Sequence, residues 1–68
     1  MIRNDQELRT TQERIRRFHE QVEKLREVEK NPENYRASAG GFLDEIDRMN
    51  LEVREYLTLP PAEVNQAV

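Results

Sequence analysis

The chain has no cysteine, one histidine (His19) and one serine (Ser38). Without cysteine there is no disulfide to staple a small fold and no thiolate to hold a metal. A lone imidazole with no thiolate leaves too few ligands for a zinc site within one copy, so no metal or cofactor is expected. A nucleophile needs an adjacent base, and an antiparallel fold of this chain sets Ser38 near Lys24, away from His19. The only glycines, Gly40 and Gly41, lack the companion residues of a phosphate-binding or dinucleotide loop. No run approaches the ~20 apolar residues that cross a bilayer. The opening Met1-Ile2-Arg3-Asn4-Asp5 has no apolar leader core, so a cytoplasmic protein is expected. These absences point away from an enzyme.

What is present is a periodic pattern. Apolar residues recur at steps of three, four or seven in two stretches: Leu8, Ile15, Phe18, Val22 and Leu25, then Tyr35, Ala39, Phe42, Ile46, Met49, Val53 and Tyr56. This spacing keeps a narrow stripe on one side of a helix, the seam of a coiled coil. Asn31-Pro32 separates the stretches. Proline disfavours a helical Asn31 and cannot continue the first helix, yet it suits the first position of a second helix capped by Asn31. The expectation is an all-α antiparallel two-helix hairpin over residues 1–59, with helices at about 11–30 and 32–57 and a flexible tail at 60–68.

Two local features bear on the boundaries. Thr10-Thr11-Gln12-Glu13 has the spacing of a capping box, which favours a start near Thr11, while Asn4 three residues before Glu7 offers an earlier one. Ser38-Ala39-Gly40-Gly41 is the weak point of the second helix, because two interior glycines cost about 2 kcal/mol relative to alanine. Either a loop fills residues 31–40, or the helix runs through. The seam register continues from Tyr35 through Ala39 to Phe42, which favours the continuous helix. Folding about Asn31 pairs positions whose numbers sum to about 62, so Phe18 should meet the bare backbone of Gly40 and Gly41, a large-against-small fit.

The 68 residues carry a net charge of −3, divided into +1 over residues 1–30 and −4 over residues 31–68. Such a balance argues against nucleic acid as the main partner, and it favours pairing of a slightly basic helix with an acidic one along the seam edges. Within the first helix, Glu13/Arg17, Arg16/Glu20 and Glu20/Lys24 are opposite charges four residues apart. Arg9, Arg14, Arg16 and Arg17 are the one basic cluster and the only candidate for phosphate contacts. Asp44, Glu45, Asp47, Glu52 and Glu55 read as a solvated acidic face, since two helices offer no pocket to shift a carboxylate.

A chain this short builds a small core, commonly completed by oligomerisation. Val28, Leu43, Leu51 and Leu57 lie outside the seam and are the candidate intersubunit residues: Leu43, Leu57 and Val28 flank it and would form the natural intersubunit layer, while Leu51 lies on the far side of the second helix, either singly exposed or part of a second contact surface. Their pairing would join two hairpins into a four-helix bundle, with a homodimer the first expectation.

The chain also resembles the N-terminal helical hairpin that precedes the helix-turn-helix domain of bacterial HigA-type antitoxins and related regulators. The carrying residues are Met1-Ile2-Arg3-Asn4 with Thr10 or Thr11, the seam around Phe18 and Leu25, and Met49, Glu52, Val53, Glu55, Tyr56 and Leu59. In that family a DNA-binding domain follows, whereas here Pro60-Pro61-Ala62-Glu63-Val64 follow, so no DNA-contacting residue is carried over. The resemblance implies an association module. The reading is thus a non-enzymatic, self-associating protein–protein interaction module; the alternative is an antitoxin-like adaptor that binds a toxin protein or nucleic acid.

Overall fold

The computed structural model describes residues 1–62 and is an all-α hairpin: α1 (Asp5–Val28) and α2 (Pro32–Leu57) lie antiparallel, joined by an elbow at residues 29–31. The molecule is a rod of 50 × 14 × 13 Å.

Helix α1 begins at Asp5, six residues before the start that the Thr10–Glu13 spacing favours. The cap is Asn4, held extended, whose Oδ1 accepts from the Glu7 amide at 2.8 Å. Glu7 reaches back in turn, but to the amide of Arg3, at 2.8 Å, one residue before the usual partner. Thr10 instead sits inside the helix, its hydroxyl donating to the Gln6 carbonyl at 3.1 Å. Both sites have the spacing, but a threonine within a continuous helix can bond its own preceding turn and so need not cap.

At the other end α1 stops at Val28, two residues short of the expected Lys30. The Glu29 amide still donates to Leu25, and the Asn31 amide is taken by the Glu29 carboxylate at 3.1 Å. Asn31 then caps α2, its Oδ1 accepting from Glu33 at 2.9 Å and Asn34 at 3.2 Å, with Pro32 in the first turn. Helix α2 runs without a break through Gly40 and Gly41, and no glycine has a positive φ. It closes with the Thr58 amide on Arg54 and the Leu59 amide on Tyr56, ahead of Pro60. Of the expected tail, residues 63–68 lie outside the described residues.

Three contacts set the register. Phe18 meets Phe42 edge to face with ring centres 5.4 Å apart, Arg26 stacks on Tyr35 at 5.7 Å, and Tyr56 reaches Asp5. Their numbers sum to 60 or 61 rather than 62. The Phe18 ring therefore finds another ring and not the glycine backbone: a Cβ added at Gly40 or Gly41 would have no heavy atom within 4 Å. The glycines make no close approach within the hairpin.

The core is small and one-sided. Ala39, Ile46, Met49 and Tyr56 of α2 are buried, α1 buries none of its residues, and the fifth buried side chain, Ile2, precedes α1. Residues 1–3 fold back over the open end of the hairpin as a strap. Ile2 packs on Tyr56 with Leu8 and Val53 against it, and the Met1 ammonium meets Glu52 at 3.0 Å.

Candidate interaction surface

All twelve seam residues lie at least partly buried. Leu8, Ile15, Phe18, Val22 and Leu25 of α1 are half-buried, as are Tyr35, Phe42 and Val53 of α2, while Ala39, Ile46, Met49 and Tyr56 are buried. Sequence reasoning missed two contributors. Thr11 fills the seam position between Leu8 and Ile15 and is half-buried, and Ile2 closes the open end. Ile2 lies one residue beyond the position, here Arg3, from which an apolar side chain ahead of a cap often packs on the fourth helical residue, here Leu8, so that signal does not single it out.

Tyr56 is the most constrained polar group. Its hydroxyl donates to Asp5 Oδ1 at 2.6 Å, and its pKa is pushed up from about 10 to about 12, first by burial, then by the hydrogen bond to Asp5 and by the charges of Asp5 and Glu7.

The charges do not bridge the helices as the sequence suggested. Among the described residues, Arg17 and Arg16 both turn to Glu13 on their own helix, at 3.4 and 4.0 Å, and Arg48 pairs with Glu45. The sole ion pair that reaches across to α2 comes from the Met1 ammonium of the strap. Of the three expected pairs along α1, Glu13–Arg17 forms. Long exposed side chains lose entropy when fixed across a seam, so a partner on the same helix competes well. The basic cluster is also divided by helical geometry, with Arg14 and Arg17 to one side of Glu13 and Arg9 and Arg16 to the other. No three His, Asp or Glu side chains among the described residues converge as metal ligands.

Leu43, Leu57 and Val28, expected to form one intersubunit layer, lie on two opposite flanks, and Leu51 lies on the far side of α2, where its spacing set it. Leu43 and Leu57 are 41% and 59% exposed and follow the seam residues Phe42 and Tyr56, so they share one flank of the hairpin. Val28 precedes the seam position of Glu29 and faces the opposite flank, while Leu51, two residues past Met49, points outward. Each residue step turns a helix by about 100°, so a residue that precedes a seam position on α1 and residues that follow one on α2 fall on opposite flanks of an antiparallel pair.

The two flanks differ in chemistry. On the Leu43 flank, α1 contributes Gln12 and His19 and α2 contributes Leu43, Asn50 and Leu57; all are exposed and none is an acid, lysine or arginine. Gln12 and Leu57 line one cleft together with the charged Asp5 and Arg9 at the open end, and Arg26 and Arg36 border the elbow end. The corresponding span of the other flank carries Glu7, Arg14, Glu45 and Glu52, with the strap lying over part of it. Between those charged ends the Leu43 flank is free of Asp, Glu, Lys and Arg, whereas the other flank is charged over the same span and partly covered. No helix is long and apolar enough to cross a membrane among the described residues. Compared with family models, with curated proteins and with solved structures, the chain matches none.

Proposed function

We propose that the protein is a non-enzymatic self-association module, in which two hairpins pack through the flank bearing Leu43 and Leu57 to form a four-helix bundle. The observation that carries this reading is the one-sided core. Helix α1 buries none of its residues in the single hairpin, so every one of its seam side chains keeps surface that a second layer would cover. Interface cores are depleted in charge, and the middle of the Leu43 flank, between Asp5 and Arg9 at one end and Arg26 and Arg36 at the other, meets that condition. A covered α1 and two leucines removed from water would add to a fold too small to build a large core alone.

Sedimentation equilibrium at micromolar concentration tests the proposal. The expected mass is twice the 8.1 kDa of one chain. Leu43→Glu and Leu57→Glu, singly or together, should shift the equilibrium toward monomer, whereas Leu51→Glu, on the outward face, should not. A well-folded monomer across the micromolar range overturns the reading, as does a dimer equally insensitive to all three changes.

A further inference from the structure

Between its charged ends, the Leu43 flank contains one side chain that can acquire charge under mild conditions, His19. It follows the seam residue Phe18 and is exposed, and the hairpin register brings it to the height of Phe42 and Leu43. Its flank neighbours Gln12, Asn50 and Leu57 do not titrate. The charged groups closest to it lie one row further out: Arg16 and Glu23, one turn away on either side along α1, and Asp47 on α2. Asp5 and Arg9 sit at the far open end, and Arg26 and Arg36 at the elbow. None of these carboxylates makes an ion pair with His19 among the described residues.

We infer that His19 makes self-association sensitive to protons: pairing through the Leu43 flank covers a neutral imidazole, and protonation of His19 releases the partner copy. This rests on the self-association proposed above. A neutral imidazole is compatible with a desolvated strip of glutamine, asparagine and leucine, whereas an imidazolium placed there loses hydration and has no ion pair in the hairpin to offset that loss, Glu23 and Asp47 lying one row further out. A two-fold pair covers His19 from both copies, so dissociation takes up two protons. Below the range where imidazoles titrate, the logarithm of the dissociation constant should therefore rise by up to two for each unit of falling pH.

The test is sedimentation equilibrium of the full chain at about pH 8 and about pH 5.5, a window in which imidazoles and few other side chains change charge. At the higher pH a dimer is expected; at the lower pH the dissociation constant should rise by about tenfold or more. His19→Gln should dimerise at both pH values with little difference between them, and His19→Lys should be weakened even at the higher pH. Circular dichroism at each pH separates release of the partner from loss of helix. If no dimer forms at either pH, the self-association reading itself falls. If the dimer is equally tight at both, or if His19→Gln keeps the full pH dependence, only the proton-sensitivity is overturned.

Discussion

The Tyr56 hydroxyl and the Asp5 carboxylate, 51 positions apart in sequence, meet at 2.6 Å and fasten the end of α2 to the first turn of α1. Asp5 lies in the first turn, where the helix dipole also favours its negative charge. The tyrosine ring is buried against Ile2, so the bond sits at the edge of the one apolar cluster at the open end.

This bond gives a pH dependence with a definite sign. The Tyr56 pKa is raised to about 12 in the fold, while an unfolded tyrosine titrates near 10. Its contribution is fully present below about pH 10 and is lost as pH rises through about 12, because the unfolded chain releases its proton first. Urea unfolding midpoints should therefore fall over that window, and Tyr56→Phe should remove this component. In a Tyr35→Phe background, the ultraviolet absorbance of tyrosinate should report a single titration displaced upward. A titration centred near 10 would show that the bond to Asp5 does not form.

The strap gives a second expectation. Ile2 is 9% exposed and contacts Tyr56, so Ile2→Ala should destabilise the hairpin by about 1–2 kcal/mol, toward or below the low end of core truncations because the site lies at the rim. Urea unfolding at one fixed protein concentration measures this, since any self-association makes stability concentration-dependent. A change near zero would mean that the strap does not hold in solution.

The helical hairpin was legible in the sequence because its causes are local and periodic. The seam spacing names the buried side of α2, and Asn31-Pro32 combines a helix break with a helix start, so the elbow could be placed from two residues. The strap was not legible to the same degree. Ile2 belongs to no periodic stretch, and its burial depends on where Tyr56 and Val53 arrive from the far end of the chain. The start of α1 was misplaced because two sites, Asn4–Glu7 and Thr10–Glu13, carry the same capping spacing. The structure uses the earlier one, which lets Leu8 join the seam and Asp5 reach Tyr56. The expected ion pairs across the seam failed for another reason: net charge per helix says nothing about which flank each arginine occupies. The far-side place of Leu51 was legible from its spacing, but Leu43, Leu57 and Val28 looked alike as seam-flanking residues, and their division between two flanks followed once the register was fixed.

The choice between the two capping sites is open to a direct comparison. Asn4→Ala removes the acceptor of the Glu7 amide and should cost about 1 kcal/mol, whereas Thr10→Ala should stay within about 0.5 kcal/mol of the parent. The reverse order, read from urea unfolding of the two variants, would place the start of α1 at Thr11.

The Phe18–Phe42 pair is the aromatic contact at mid-seam, with the rings inclined at 76°. A double-mutant cycle with leucine at each position should give a coupling of about 0.5–1.5 kcal/mol beyond the two single changes. Coupling near zero would indicate that the helices pair in a different register.

Gly40 and Gly41 lie inside a continuous helix with right-handed backbone, and an added methyl would meet nothing within 4 Å at either position. Neither a turn nor a close intramolecular approach requires glycine there. Alanine restricts the unfolded chain and fits a helix interior better, so Gly40→Ala and Gly41→Ala should each stabilise the hairpin by about 0.5–1 kcal/mol. The two gains should nearly add, since each acts on backbone freedom and not on a shared contact. Thermal unfolding of the single and double variants at one concentration provides the measurement. A loss of stability at either site would mean that another surface approaches the α2 backbone there. Sedimentation of that variant would then show whether the surface is a second copy: a weakened dimer would extend the interface toward the elbow, and an unchanged one would leave it centred on Leu43 and Leu57.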